Sequence, residues 1–456
     1  MELTTWSYLI SDYFSVIAAL ILVLMMVLTY RHTKAKQSQA RATLDEAKSK
    51  NLAEPFSLHP KIDPNLCAGC GACVRACPEG EILRLVNNRA ALVSPTKCVG
   101  HGECEAACPF DAIKLVFGTK TRGKEIPRIT SNYETNISGL YIAGELGGMG
   151  LIRNAVRQGR KAVEHASAQL QLSPDKSPAD YDLVIVGAGP AGIAAALAAK
   201  ARGLNYVCLE QDHYGGTIAN FPRQKIIMSQ PAELPIVGQM KFPRHKVSKE
   251  ELIARWEMIR SEQGLVIKEH TKFLNLIKRE PNFELQTSDG VLTSRRVVLA
   301  TGVRGSPRKL GVPGESLSKV TYNLIEPEQY HGRHIAVVGS GNSAAEAVDM
   351  LCKNSLANTV SMLAVTSGFD RCNESNEHHV RQAAAAGRVK LYFDTKVEAI
   401  REGYVDLLVN GQRQTLKNDY IFIFIGAELQ TAFFNQLGIL VDKKFGEPIS
   451  RHPSRA

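Results

Sequence analysis

Two short cysteine-rich runs constrain this 456-residue chain more than any other feature. The first, CAGCGACVRACP, places Cys67, Cys70, Cys73 and Cys77 ahead of Pro78. The second, CVGHGECEAACP, begins 31 residues later and sets Cys98, Cys104, Cys108 and Pro109 at the same offsets. Three thiolates on one tight, glycine-softened loop reach three irons of a cubane, and the fourth, on the following helix, points at a neighbouring cluster. Crossed ligation then gives one cluster Cys67, Cys70, Cys73 and Cys108, and the other Cys98, Cys104 and Cys77. The close repetition of spacing argues against a disulfide framework. A zinc site needs only four ligands and leaves the second set unexplained.

The slot held by Cys70 in the first run is His101 in the second. Imidazole ligates iron in Rieske centres, so one reading has His101 completing a four-iron cluster of altered potential. Another has it as a loop histidine beside a [3Fe–4S] cluster, or beside a four-iron cluster with a non-protein ligand. Both stay open. The run and its repeat resemble those of bacterial two-cluster ferredoxins, and the resemblance implies a small α+β domain with two [4Fe–4S]-type sites over residues 57–118.

Ahead of that domain, YFSVIAALILVLMMVLTY is 18 residues without a charge, from Tyr13 to Tyr30, followed at once by Arg31, His32, Lys34 and Lys36. That length just spans a hydrocarbon core of about 30 Å. A cleaved leader would carry its basic residues before the apolar run, whereas Glu2 is the one charged side chain before Asp12. The expectation is a retained transmembrane anchor over residues 1–31, then a helical basic linker over 32–56. With lysine and arginine after the helix, the amino terminus faces out and the rest lies in the cytoplasm, at a bacterial inner membrane. The net charge of +10 is concentrated: residues 31–50 hold six basic and two acidic side chains, and 119–170 hold eight and four. The first stretch suits anionic lipid at a bilayer surface. No aromatic-basic alternation or zinc-finger spacing accompanies the second, which argues against nucleic acid.

Two further motifs bind dinucleotides. YDLVIVGAGPAG is an apolar strand, then Gly187, Gly189 and Gly192 in GxGxxG, then an alanine-rich helix; Glu210 ends the next strand, 18 residues past Gly192. In that context the glycines let a pyrophosphate approach the helix amino terminus, and the acid binds an adenosine ribose. A second unit, RHIAVVGSGNSAAEAVDML, carries Gly339, Gly341 and Ala344 as GxGxxA. Between them VVLATG leads out of the first domain, and DYIFIFIGAELQT, from Asp419 to Thr431, leads back.

From about Tyr181 to Pro448 the chain resembles the low-molecular-weight thioredoxin reductase family, particularly its bacillithiol disulfide reductase and ferredoxin:NADP reductase-like branches. The matching elements are GGTIANFP, with Gly216 and Thr217, and GVRGSPRKLGVPGE. Residues 119–170 resemble that family's final segment, in which an acid bonds the flavin ribityl chain and the next helix points at the flavin ring. Here the matching residues are Ala143, Gly144 and Glu145, glutamate standing for the usual aspartate, with GGMGLIRNAVRQG as the helix start. The resemblance implies a circularly permuted flavin domain: its last strand and helix come first, and LSPDKSPAD bridges back to the first strand. The family's CxxC is missing; outside the two runs the cysteines are Cys208, Cys352 and Cys372. VSMLAVTSGF, after the second glycine turn, has neither a basic pair for NADPH nor an acid for NADH, though Arg371 is near.

The expected fold is multidomain α/β. FAD- and NAD(P)-binding Rossmann-like domains join the ferredoxin domain and one amino-terminal transmembrane helix. The expected divisions, after the anchor, linker and ferredoxin domain, are a permuted segment at 119–172, an FAD domain at 180–305, an NAD(P) domain at 306–425 and a return to the FAD domain at 426–456. The expected function is a membrane-anchored enzyme passing electrons between NAD(P)H, FAD, two clusters and a redox protein such as a cytochrome or quinone-linked reductase. A homodimer is compatible with this reading, and no catalytic acid or base stands out. The alternatives are a disulfide or small-molecule reductase fed by the clusters, and a non-enzymatic membrane redox sensor.

Overall fold

The computed structural model describes residues 2–448 except 50–54, 56–57, 79, 81, 96–97, 99, 120–122, 146–150, 173–177, 224, 229–231, 241, 243–245, 303–306, 370–371, 373 and 427–430. It divides into two bodies, Met1–Val116 and Phe117–Ala456.

The first body opens with one continuous helix, α1 (Glu2–Ser49). Its sequence contains neither glycine nor proline, so nothing breaks it. Side chains from Ile17 to Leu28 are exposed, Leu20 at 63% and Met26 at 66%, and the helix is long and apolar enough to cross a membrane. Its second half is anchored on protein: Ala40 is buried, Gln37 Nε2 donates to Asn88 Oδ1 at 2.6 Å, and the Asn88 N–H donates back to Gln37 Oε1 at 3.2 Å. Beyond it, β1 (His59–Ile62), α2 (Ala72–Ala76), the hairpin β2 (Leu83–Val86) and β3 (Arg89–Leu92), α3 (Glu103–Ala106) and β4 (Ile113–Phe117) follow in order. Asn87 and Asn88 turn the hairpin with φ of 50° and 59°, the two left-handed residues that a type I′ turn requires. β1 and β4 pair antiparallel, Ile62 opposite Ile113.

The second body begins with β5 (Lys124–Pro127), β6 (Leu140–Ile142) and α4 (Ile152–Leu172), then β7 (Tyr181–Val186), α5 (Pro190–Ala201) and β8 (Tyr206–Leu209). Two short pairs follow, β9 (Ile226–Met228) with β12 (Lys246–Ser248) and β10 (Ala232–Leu234) with β11 (Gly238–Met240). Next come α6 (Lys249–Gln263), β13 (Ile267–Lys268), β14 (Phe273–Arg279), β15 (Asn282–Thr287) and β16 (Gly290–Leu299). The α6 start is a full capping box, the Ser248 side chain and Glu251 each satisfying the other's backbone N–H.

These strands form one seven-stranded sheet in the order β13-β8-β7-β16-β15-β14, with β6 paired to β16. Leu299 of β16 lies between Val186 of β7 and Ile142 of β6, parallel to both. All three residues of β6 are buried. Tyr141 packs on one face of the sheet with Ala162 and Val163 of α4 and the alanines of α5; Leu140 and Ile142 pack on the other with Val184, Val207 and Phe283. α4 crosses α5 so closely that a Cβ added at Gly159 would stand 2.0 Å from the Ala191 carbonyl oxygen.

The second glycine turn lies in a separate parallel sheet of β17 (Val320–Thr321), β18 (His334–Val338), β19 (Thr359–Leu363), β20 (Val389–Tyr392) and β24 (Tyr420–Ile423), ordered β17-β24-β18-β19-β20. α7 (Asn342–Leu351) and α8 (Glu374–Ala385) lie between its strands in sequence, and β21 (Thr395–Ile400), β22 (Tyr404–Val409) and β23 (Gln412–Lys417) form an antiparallel meander before β24. The chain then returns to the first sheet. Phe434 of α9 (Thr431–Gln436), with Leu437 and Ile439, joins the core around Val184 and Leu299. β25 (Val441–Lys444) pairs with β5, reinforced by Arg128 and Asp442 at 2.7 Å.

Candidate functional site

In the first body the two cysteine loops share one backbone design. Gly69 and Gly71 have φ of +69° and +71°, and Gly100 and Gly102, one repeat later, have +77° and +89°. These left-handed positions favour glycine, and two of them also lack room for a side chain: a Cβ at Gly69 would lie 1.9 Å from Asn88 O, and one at Gly100 2.7 Å from Leu58 O. Each loop then starts a short helix that carries the cysteine of its third ligand position, Cys73 on α2 and Cys104 on α3.

Cys67, Cys70, Cys73 and Cys108 line one cavity, closed on its apolar side by Ala90 and Ile113. Burial pushes the Cys73 thiol up, and the neighbouring Cys67 and Cys108 push it further. Cys104 is pushed up to about 12 by burial and by Cys98, then Cys77 and Cys73. The two crossed sets are thus neighbours in space, with Cys73 close to both. Thiols so buried resist ionisation, and a bound cation supplies the charge that holds them as thiolates. The donor set and the cavity fit a sulfur-ligated cluster. Among the described residues no three His, Cys, Asp or Glu side chains converge on a single-ion position. His101 is half-buried on the second loop.

In the second body the first glycine turn is the centre on which five segments meet. Gly187 has φ +103°, and its Cβ would strike Ala300 O at 2.6 Å; a Cβ on Gly192 would strike Gly187 O at 1.8 Å. Gly189, by contrast, has nothing within 4 Å of its Cβ position. Two glycines are therefore demanded by packing, and the third leaves a gap at the head of α5, where Pro190 opens the helix. That gap and the helix amino terminus suit a pyrophosphate. Glu210 is buried, its Oε2 accepting the Ala188 N–H at 2.8 Å and its Oε1 the Asp212 N–H at 3.1 Å. Gly216 packs its Cα edge on Gly189, 3.2 Å from the Cβ position to Gly189 Cα, and the Gly215 N–H donates to Ala188 O at 3.1 Å. Thr217 follows, half-buried, on a 3-10 turn.

The fifth segment is the one that precedes the turn in sequence. Gly144, φ +88°, would place a Cβ 3.1 Å from the Ala191 side chain. Its N–H donates to Gln158 Oε1 at 2.7 Å, and Glu145, half-buried, comes next. The predicted glycine-rich helix start at Gly147–Gly150 lies outside the described residues, as do Arg371, residues 173–177 of the bridge, 303–306 and 427–430.

Sequence reasoning passed over two residues here. Gln158 is only 1% exposed; it falls among Ala155, Ala162 and Val163 on the apolar face of α4, and a polar residue within such a stripe was the available signal. Thr301 follows β16, with its Cα 3.2 Å from the Gly187 Cβ position. Its hydroxyl is buried without a hydrogen-bond partner among the described residues, an orphan that a ligand in the turn would satisfy.

The second turn repeats the design. Gly339 has φ +128° and would place a Cβ 2.4 Å from Phe424 O. Gly341 caps α7, and Ala344 is fully buried beneath Gly339, 3.3 Å from that Cβ position.

Comparison with known proteins agrees with this arrangement. Residues 59–109 match the 4Fe-4S dicluster domain, and residues 184–452 match the pyridine nucleotide-disulphide oxidoreductase family. The chain is 26% identical over 277 residues to bacilliredoxin reductase Bdr of Bacillus subtilis, covering 58% of this chain and 82% of that protein. It is 28% identical over 243 residues to a ferredoxin–NADP reductase of Streptococcus agalactiae, covering 52% and 66%. The bacillithiol disulfide reductase Bdr from Bacillus cereus has the same fold, with a TM-score of 0.53 at 23% identity over 59% of this chain and 84% of that one. With both glycine turns formed and two cysteine sets paired across their loops, the chain belongs to the pyridine nucleotide-disulphide oxidoreductase family, as an FAD-dependent NAD(P)H oxidoreductase that carries a two-cluster [4Fe–4S] domain for electron transfer.

Proposed function

We propose that this protein relays electrons between NAD(P)H and a membrane redox protein, such as a cytochrome or a quinone-linked reductase. In this reading α1 anchors it to a bacterial inner membrane, amino terminus out. Residues 119–172 are the relocated end of the flavin domain, which otherwise spans 180–305 and 426–456 around a nicotinamide domain at 306–425. The observation that carries the reading is Gly144 against Ala191. One of the backbone segments that meet the flavin turn from outside the first βαβ unit is the piece of chain that directly follows the cluster-binding body in sequence.

FAD held at the first glycine turn would exchange a hydride, two electrons together, with NAD(P)H and would exchange single electrons with the clusters. The residues provide the setting. Gly187, Gly189 and Gly192 leave room for a pyrophosphate, Glu210 holds the turn through Ala188 and faces the ribose end, and Thr217, Gly144 and Glu145 complete the flavin side. Gly339, Gly341 and Ala344 receive the nicotinamide dinucleotide. Cys67, Cys70, Cys73 and Cys108 hold one cluster, and Cys98, Cys104 and Cys77, with His101, the other.

The remaining cysteines favour this reading over disulfide reduction. Cys208, Cys352 and Cys372 are all buried, at 0%, 3% and 6% exposure, and burial pushes the Cys372 thiol up to about 12. None stands ready as an attacking thiolate. Tethering raises the effective concentration of a membrane-bound partner to the order of millimolar. The test is anaerobic mixing of the purified protein with NADH or NADPH while flavin and cluster absorbance are followed. Flavin bleaching should come first and cluster reduction second, and a one-electron acceptor should be reduced faster than a small disulfide. A faster disulfide would remove the relay in favour of a reductase.

His101 supplies a separate prediction. A neutral imidazole in place of a thiolate removes negative charge from the cluster and raises its potential. Electron paramagnetic resonance should distinguish His101→Cys and His101→Ala from the parent in one cluster only. Three identical spectra and potentials would exclude His101 as a ligand.

A further inference from the structure

The two dinucleotide units of this chain can be superposed residue by residue from their own registers. Val186 pairs with Leu209 in the first, and Val338 with Leu363 in the second. The Gly187 N–H donates to Leu209 O at 2.7 Å, and the Gly339 N–H to Leu363 O at 2.9 Å. The residue after each second strand is therefore equivalent: Glu210 in the first unit, Ala364 in the second. Where the flavin unit has a carboxylate bonded to its turn, the nicotinamide unit has a methyl group, 1% exposed.

Two residues further on, Thr366 takes over the contact with the turn. Its Oγ1 lies 3.1 Å from Ser340 Oγ, the residue between Gly339 and Gly341, and donates to Gly368 O at 2.8 Å. With its one proton given to Gly368, Thr366 accepts from Ser340, and Ser340 Oγ keeps lone pairs for a hydroxyl donor. An acid at the end of this strand bonds the ribose 2′-hydroxyl of NAD, and an arginine receives the 2′-phosphate of NADP. Among the described residues of this edge, Ala364, Val365 and Thr366 carry neither charge.

We infer that the Ala364–Thr366 edge makes the nicotinamide site permissive, taking both NAD and NADP with affinities within about tenfold of each other. The inference rests on the nicotinamide reading of the second unit. A neutral hydrogen bond from a ribose hydroxyl to Ser340 is worth a factor of roughly 2–10. No carboxylate stands at Ala364 itself, and the carboxylate of Asp394, whose N–H donates to Thr366 O at 3.1 Å, is on an exposed, water-screened side chain, so the opposition to a 2′-phosphate stays small.

The test uses the full-length, FAD-loaded protein and equilibrium binding of the oxidised nucleotides NAD+ and NADP+, which read affinity without turnover. The expected ratio of dissociation constants is below about tenfold. Ala364→Glu restores the carboxylate and should shift that ratio toward NAD+ by roughly 10–100-fold, the range for a charge-assisted contact. Should a glutamate in this buried position prevent folding, Thr366→Asp, half-buried at the same edge, is expected to shift it in the same direction. A native preference above about tenfold for either nucleotide overturns the inference while leaving the oxidoreductase reading intact, as does an unchanged ratio in a folded variant. Binding of neither nucleotide removes the nicotinamide assignment and the inference with it.

Discussion

Cys70→Ser is expected to abolish electron transfer to a protein acceptor while leaving reduction of FAD by NAD(P)H at its parental rate. Cys70 is the exposed member of the four cysteines that line one cavity. Serine offers the cluster a harder, more basic oxygen in place of a polarisable thiolate, which weakens or reshapes the site. Loss of a ligand should exceed the roughly 10–100-fold that removing a supporting group costs at a metal centre. The first glycine turn is built from residues of the other body, so the hydride step is expected to survive. Rapid-mixing absorbance separates the two: flavin bleaching persists, the cluster phase falls away, and cytochrome reduction with it. Full transfer in the variant would show that the clusters are not on the route.

The second large effect is expected from the amino-terminal side of the glycine turn. A chain beginning at Ser177 keeps both glycine turns yet loses β6, α4, Gly144 and Glu145. It should fail to retain FAD, and should fold poorly as well. Leu140, Ile142, Val156 and Val163 are each at most 2% exposed. At roughly 1.5–3 kcal/mol for each such side chain, these four alone contribute about 6–12 kcal/mol, comparable to the entire stability of a typical domain. Appending residues 119–170 after Ser450 through a short linker should restore FAD binding, because β6 would again lie beside Leu299 and Gln158 would again receive the Gly144 N–H. Flavin fluorescence of the purified chains reads the outcome. A bare chain that holds FAD as tightly as the parent would refute the permuted arrangement.

The cysteine repeat and the two glycine turns were legible in the sequence because their chemistry is local. A loop that presents cluster ligands needs glycine at φ values that side chains rarely adopt, and a turn that admits a pyrophosphate needs glycine where a Cβ would meet backbone. Such requirements are written into consecutive residues. The apolar run of α1 is equally local, since length and the absence of charge are properties of one segment.

Tertiary structure decided what depends on residues far apart in the chain. Gln158 and Thr301 acquire meaning only when α4 crosses α5 and β16 ends against Gly187; in sequence they are an ordinary glutamine in a helix and a threonine after a strand. The insertion of β6 beside β16 joins residues 140 and 297, a pairing that the apolar pattern of three residues cannot specify. That Ala364 is the residue equivalent to Glu210 likewise emerged only from the registers of β18 against β19 and β7 against β8. The sequence by itself determined which cofactors the chain can cradle, because those demands fall on contiguous backbone; which side chains share a cradle was left to the sheet registers and helix crossings, because burial is a property of distant segments brought together.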